Sequence, residues 1–210
     1  MKKYLSLIIA TLTLFVVSAQ ANLVTINWAP NHSPSGGEFV LTPDTGTAFN
    51  TFCIERNQFI NVGGTYSYQI SSTSDGGING PAPVSLGTAW LYSQFLNGTL
   101  SGFAGSTGQQ TDLQNAIWYC QGELSSIVNN PYVTLAQSTL NANILANGNG
   151  AYGVDVWNLF DANGNQCQSQ LGVQSRSTSV PEAATWWVGL AILLPFGLST
   201  MKTFRNTVAA

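Results

Sequence analysis

The sequence predicts an α+β domain of antiparallel strands with about three helices, flanked by an N-terminal signal peptide and a C-terminal transmembrane helix. Stretches with strand periodicity come first, helical stretches follow, and strands return at the end, an order typical of the α+β class. Of the 210 residues, 44% are hydrophobic and 11% aromatic, which is enough apolar material for one domain core. Only 7% are charged, against roughly 25% in an average soluble domain.

The predicted strands of the first half follow from alternation of apolar and polar residues. Val24, Ile26 and Trp28 alternate with polar neighbours, as in a half-buried strand. Further strands are predicted at 38–42, 50–55 and 66–71, the last one after a glycine-rich turn. Residues 71–84 are predicted to form a surface loop.

The three predicted helices are placed by their caps. The first covers 85–97, with Ser85 as its cap, and the second covers 112–121, with Thr111 as its cap and Gly122 after its end. The third is opened by Pro131 and runs to about residue 146.

A hairpin is predicted after the helices. Strands at 153–160 and 166–174 flank Asn163-Gly164, and Asn-Gly is a strong hairpin signal. Asp161, Asn163 and Asn165 resemble the start of a calcium loop, but Gln166 and Gly172 occupy the positions where an EF-hand needs Gly and Glu. The segment is interpreted as a turn.

The charges argue against nucleic-acid binding and against common catalytic sites. Four of the six basic residues lie at the chain ends, so no basic face can form. His32 is the only histidine, and it has no cysteine or carboxylate at ligand spacing. We therefore expect no metal, no cofactor and no enzymatic activity, with a hydrolase as the least favoured alternative.

The N-terminal segment 1–21 is predicted to be a secretory signal peptide. Lys2 and Lys3 precede an apolar run, and Ala19-Gln20-Ala21 forms an A-x-A cleavage site. The alternative is an uncleaved membrane helix, which the short apolar run disfavours.

The C-terminal segment 183–201 contains no charge and has the length of a membrane-spanning helix. Trp186 and Trp187 stand at one edge, where a membrane interface favours them, and Lys202 and Arg205 follow the other edge. Because positive charge stays cytoplasmic, the region 22–179 is expected to face outward. A buried helix of a soluble protein is the alternative.

The three cysteines, Cys53, Cys120 and Cys167, are an odd number for an exported chain. Thiols tend to pair outside the cytoplasm, so one is left over to be reactive, buried or modified. The residues alone do not decide which two pair.

Two short motifs resemble the Cys-Gln thioester domains of bacterial surface adhesins. One is Phe52-Cys53-Ile54, and the other is Leu113-Gln114-Asn115-Ala116-Ile117-Trp118. The resemblance covers about residues 50–125. It implies that the Cys53 sulfur displaces ammonia from the Gln114 side chain, in a pocket walled by Phe52 and Trp118, and that the resulting thioester captures an amine on a target.

The same resemblance has consequences for the helix and for the other cysteines. N–H groups at the start of the helix carrying Gln114 are expected to stabilise the oxyanion. A Cys53–Gln114 bond would leave Cys120 and Cys167 free to form a disulfide. A disulfide between Cys53 and Cys120 is the competing arrangement, as is a buried cysteine beside a satisfied core glutamine.

The C-terminal segment 180–210 resembles the PEP-CTERM sorting signal of Gram-negative bacteria. Val180-Pro181-Glu182-Ala183 precedes the apolar helix, and Lys202 and Arg205 follow it; Ala183 stands where the usual motif has a second proline. The resemblance implies recognition by an exosortase, a membrane enzyme acting near Pro181 and Glu182. A plain membrane anchor is the alternative.

Together these observations predict an exported surface or extracellular-matrix protein, anchored in the membrane or released by the exosortase. Covalent adhesion through a thioester is the leading role. A non-covalent structural matrix protein, sorted in the same way, is the alternative.

Overall fold

The computed structural model describes residues 22–34 and 36–173. The expected signal peptide 1–21, the sorting motif at 180–183, the helix 183–201 and the basic residues Lys202 and Arg205 lie outside these residues. Within the two described ranges, no helix is both long and apolar enough to cross a membrane.

The main sheet has six antiparallel strands, which are β1 Leu23–Trp28, β2 Phe39–Pro43, β3 Phe49–Thr51, β4 Thr65–Ser71, β7 Val154–Phe160 and β8 Gln170–Val173. They lie in the order β3-β2-β1-β4-β7-β8. Alternation places Val24 and Ile26 of β1 in the core, opposite Pro43 and Leu41 of β2. The antiparallel α+β expectation is therefore confirmed for the domain.

The sheet curls until its two edge strands, β3 and β8, meet. Leu171 donates its backbone N–H to Phe52 O at 3.0 Å, and Ile54 donates to Ser169 O at 3.2 Å. Cys53 forms an antiparallel bridge with Gln170. Because this contact satisfies polar groups that an open sheet edge would expose, it fixes the segment 52–54 at the seam.

Three α-helices follow β4 and its loop. They are α1 Leu86–Leu96, α2 Thr107–Gln121 and α3 Pro131–Thr139. Ser85 caps α1, Gly122 ends α2 in a left-handed conformation and Pro131 opens α3, as predicted.

Two helix boundaries were predicted wrongly. Helix α2 starts at Thr107 and not at 112, because Ser106 and Gln109 form a reciprocal capping box. Helix α3 stops at Thr139, since Asn141 and Ala142 adopt left-handed φ angles of 52° and 63°, and a short 3-10 turn, Asn143–Leu145, follows.

Smaller differences concern strands and loops. The surface loop 71–84 contains a short hairpin, β5 Thr73–Ser74 with β6 Ala82–Pro83. The last strand begins at Gln170 and not at 166, because the chain around Asn163-Gly164 stays in a wider turn held by the carboxylate of Asp161. This turn agrees with the interpretation made from the sequence.

The core has two clusters that meet at residues 52–54. One cluster joins the three helices to Phe52, Ile54 and one face of the last hairpin. The other lies inside the curled sheet and includes Cys53. Alternation along this short segment therefore sends Cys53 to one side and its neighbours to the other.

Candidate functional site

Cys53 is held rigidly between the curled sheet and helix α2. Its side chain is 1% exposed, and its backbone is fixed by the bridge to Gln170. The flanking Phe52 and Ile54 are completely buried in the helical cluster. This anchoring leaves the sulfur little freedom of position.

Gln114 projects from the middle of α2 into the same seam. It is 1% exposed, in a helix whose other buried residues include Leu113, Ile117 and Trp118. A buried amide is costly unless its donors and acceptor are paired, and the structure pairs this one with Cys53.

Three contacts join the two residues, which are 61 positions apart in the chain. The backbone N–H of Cys53 donates to Gln114 Oε1 at 3.1 Å, and Gln114 Nε2 donates to the Cys53 carbonyl at 2.8 Å. The Cys53 thiol also lies 3.3 Å from Oε1. The sulfur is thus in contact with the oxygen bonded to the carbon that it would have to attack.

Gly37 supplies the space for this arrangement. A Cβ built there would lie 2.5 Å from Gln114 Oε1 and would overlap the ring of Phe52. The φ angle of Gly37 is +59°, a region that residues with a Cβ rarely adopt. A glycine is therefore required at this position by contact and by conformation.

The donor to Oε1 differs from the sequence-based expectation. Gln114 lies two turns inside α2, away from the unpaired N–H groups of the helix start. The backbone N–H of Cys53 itself occupies the position of an oxyanion donor. The helix start therefore plays no part in the contact.

Burial raises the pKa of the Cys53 thiol to about 12. Hydrogen bonds from the backbone of Cys53 and of Gly37 favour the thiolate, but they do not outweigh the loss of solvent, and the charge of Glu55 opposes ionisation further. At neutral pH the sulfur is therefore protonated, and its reactivity has to come from proximity to the amide.

A cavity of about 260 Å³ opens beside Cys53. Trp118, expected to wall the pocket, lines it together with Trp28, Phe39 and Arg56. Phe52, the other expected wall residue, lies on the opposite side of the backbone and packs edge-on against Phe95 at 5.0 Å. Trp118 therefore borders the pair on the cavity side, whereas the Phe52 ring meets Gln114 Oε1 at Gly37, where an added Cβ would touch both.

The disulfide expected between Cys120 and Cys167 is not formed, and Cys53 is not paired with Cys120. No disulfide joins any two of the three cysteines, all of which lie among the described residues. Cys120 lies in the helical cluster, whereas Cys167 packs against the sheet cluster. The two sulfurs are thus separated by the layers of the fold.

Two site residues were missed in the sequence. Gly37 belongs to Ser35-Gly36-Gly37, which has the composition of an ordinary loop, and nothing local indicates that it meets a helix 77 residues later. Arg56 could have been singled out, since it is the only Lys or Arg between residues 22 and 173.

In the described residues no group of three or more metal-ligating side chains comes together. Comparisons of the chain with models of protein families, with curated proteins and with solved structures found no match.

Proposed function

We propose that this chain is an exported surface protein whose domain attaches covalently to an amine-bearing target through an internal Cys53–Gln114 thioester. The observation that carries the proposal is the contact of the buried thiol with the Gln114 carboxamide. The oxygen and the nitrogen of this carboxamide both hydrogen-bond to the Cys53 backbone. Fixed proximity supplies up to roughly 7–11 kcal/mol of a reaction barrier where the reacting atoms are held close and aligned.

The bond would form by loss of ammonia. The thiol sulfur adds to the Gln114 Cδ, the C–N bond breaks, and the thiol proton leaves with the amide nitrogen as ammonia. The N–H of Cys53, 3.1 Å from Oε1, would stabilise the negative charge that builds on the oxygen. Burial of both side chains would protect the product from hydrolysis.

Capture of the target would run through the same carbon. An unprotonated amine attacks the Gln114 Cδ, the C–S bond breaks, and the sulfur takes up the proton that the amine gives away. The products are an amide joining Gln114 to the target and a free Cys53 thiol. The target carries a primary amine, and the thioester is used up in this one reaction and is not regenerated, so the protein acts as a reactant and not as an enzyme.

Delivery to the surface forms the second part of the proposal. It is supported by the sequence of the two ends: the apolar run before Ala19-Gln20-Ala21, and Pro181-Glu182 before an uncharged apolar segment that Lys202 and Arg205 follow. An exosortase-type enzyme would sort the chain, and the membrane would hold it through residues 183–201.

Amine labelling tests the thioester. The purified chain is incubated with isotopically labelled methylamine, and its peptides are mapped by mass spectrometry. The proposal predicts label on Gln114 and none on Gln110, a glutamine that is equally buried one turn earlier in α2. Cys53→Ala should abolish labelling and Cys120→Ala should retain it; absence of label in the wild-type chain would refute the proposal.

A non-covalent structural role is the alternative, and one observation favours it. The oxygen and the nitrogen of the Gln114 amide both form hydrogen bonds with the Cys53 backbone. The pair is therefore also stable as an ordinary buried contact between α2 and the sheet. Under this alternative Cys53→Ala leaves surface attachment unchanged, whereas the thioester proposal predicts that attachment is lost.

A further inference from the structure

The cavity beside Cys53 has aromatic walls and a single charged residue. Trp28 stacks on Phe39 with ring centroids 4.7 Å apart, and Trp118 and Phe59 complete the apolar lining. Phe59 is 83% exposed. At about 260 Å³, the cavity is slightly below the range of sites for drug-sized ligands, roughly 300–1,000 Å³, so it suits a small molecule.

Arg56 is the charged residue of this cavity, and its position is unusual. The chain from 22 to 173 contains eight carboxylates and this one basic side chain. Arg56 is exposed, and within the described part of the chain its guanidinium takes part in no salt bridge. The domain thus places its only cation beside the proposed reactive bond.

The nearest carboxylates do not neutralise this cation. No aspartate or glutamate lines the cavity. Glu55 is 1% exposed and accepts hydrogen bonds from Gly76 and Ser169. Glu123 is 6% exposed and accepts from the backbone N–H groups of Arg56 and Ile78. Both carboxylates are engaged inside the protein.

Trp118 adds a hydrogen-bond donor without an acceptor. The indole is 7% exposed and lines the cavity, and its Nε1 has no partner among the described residues. The cavity therefore offers one guanidinium between aromatic walls, and Trp118 forms one of these walls.

We propose that this pocket selects amines that carry a nearby carboxylate, an amino-carboxylate group displayed by the target, as nucleophiles for the thioester, an inference that rests on the proposed function. Arg56 pairs with the carboxylate, since a guanidinium matches it in charge and in fork geometry. The aromatic walls cover the short carbon chain. The amine is then held beside Cys53, which lines the cavity and whose sulfur is bonded to the Gln114 carbonyl carbon in the thioester.

The reaction at this pocket is the aminolysis described above. The unprotonated amine of the bound molecule attacks the Gln114 Cδ, the C–S bond breaks, and the Cys53 sulfur receives the proton. The product is an amide that carries the carboxylate of the nucleophile and leaves it beside Arg56.

Three probes of nearly equal size separate this selectivity from simple aminolysis. β-Alanine carries a carboxylate, 3-aminopropanol is its neutral counterpart, and 1,3-diaminopropane carries a second cation. Labelling rates at Gln114 are measured on the full chain at 0.15 M ionic strength, normalised to the unprotonated amine. Because Arg56 is exposed, its ion pair with the carboxylate is worth up to about 1 kcal/mol, which predicts a preference of up to roughly fivefold for β-alanine over 3-aminopropanol.

Variants of Arg56 give the decisive comparison. Arg56→Gln should bring the ratio of the β-alanine rate to the 3-aminopropanol rate close to one. Arg56→Lys should keep part of the preference for β-alanine, and Arg56→Glu should favour 1,3-diaminopropane. Equal rates in the wild-type chain, or a preference that survives in Arg56→Gln, would overturn the inference while leaving the thioester intact.

A binding measurement keeps the pocket testable without the thioester. In Cys53→Ala, tryptophan fluorescence should report β-alanine binding roughly twofold to fivefold tighter than 3-aminopropanol binding, and Trp28 and Trp118 serve as reporters because they line the cavity. Equal affinities would contradict the role of Arg56. Failure of methylamine to label the wild-type chain would instead contradict the proposed function, and the selection of nucleophiles would fall with it.

Discussion

A methyl group on Gly37 would lie 2.5 Å from the side-chain oxygen of Gln114. The loop before β2 therefore approaches α2 so closely that the contact between Cys53 and Gln114 depends on a residue without a side chain. This dependence can be tested without altering either member of the pair.

Gly37→Ala should displace the Gln114 carboxamide and reduce methylamine incorporation at least tenfold. The physical reasons are the overlap with Oε1 and with Phe52, added to the left-handed backbone. The measurement is the fraction of Gln114 labelled after a fixed time. Gly98→Ala is the matched control, since Gly98 has a similar φ of +66° with no atom near the added Cβ. Equal labelling of both variants would show that Gly37 does not shape the site.

Thiol reactivity should follow burial. Under native conditions at pH 8, iodoacetamide should modify the partly exposed Cys167 first. Cys120 should react slowly, because burial raises its pKa to about 12, and Cys53 should not react because its sulfur is bonded.

Methylamine treatment should then release one further thiol. This thiol should become fully available only in denaturant, since Cys53 is 1% exposed and burial raises its pKa to about 12. Rapid alkylation of Cys53 in the untreated native chain would be incompatible with the thioester.

The stability of the domain should decrease as the pH rises through the weakly acidic range. Burial raises the pKa of Glu55 above its ordinary value of 4.5, so the folded chain binds more protons than the unfolded chain above that pH. The free energy of unfolding then falls with pH, from about pH 4.5 up to the raised pKa.

Glu55→Gln should make the fall of the unfolding free energy with pH less steep. Urea unfolding at successive pH values measures this free energy. A slope of the same sign should remain, because burial also raises the pKa of Glu38 and of Asp155. An unchanged slope in Glu55→Gln would mean that Glu55 ionises equally easily in both states.

Ser106→Ala should destabilise the domain by about 1 kcal/mol, the usual cost of losing a helix N-cap. The Ser106 side chain accepts from the N–H of Gln109, whose side chain completes the capping box. Urea unfolding measures the loss, and Ser106→Asp should retain most of the stability because aspartate also caps. Equal losses in the two variants would contradict capping as the cause.

The general architecture could be predicted because it follows from local patterns. Alternation around Val24 and Ile26 predicts β1, and Ser85 and Pro131 mark helix starts by their capping chemistry. The first turn of α2 was missed because Gly105 and Gly108 give this stretch the composition of a loop. The capping box of Ser106 and Gln109 was the signal present in the sequence.

The site could be predicted only in part. Cys53 and Gln114 were paired through their resemblance to a family motif, since nothing local joins residues 61 positions apart. Gly37, the separation of Cys120 from Cys167 and the pocket beside Arg56 depend on which faces of the sheet and helices meet. Such long-range placement is set by packing of the whole domain and leaves no short pattern in the chain.

The intact mass of the purified chain tests the thioester most directly. The account predicts a mass lower by one ammonia than the value calculated from the chain termini, and a normal mass for Cys53→Ala. Methylamine should convert the light species to the calculated mass plus one methylene group. A wild-type chain with the full calculated mass, unchanged by methylamine, would contradict the account.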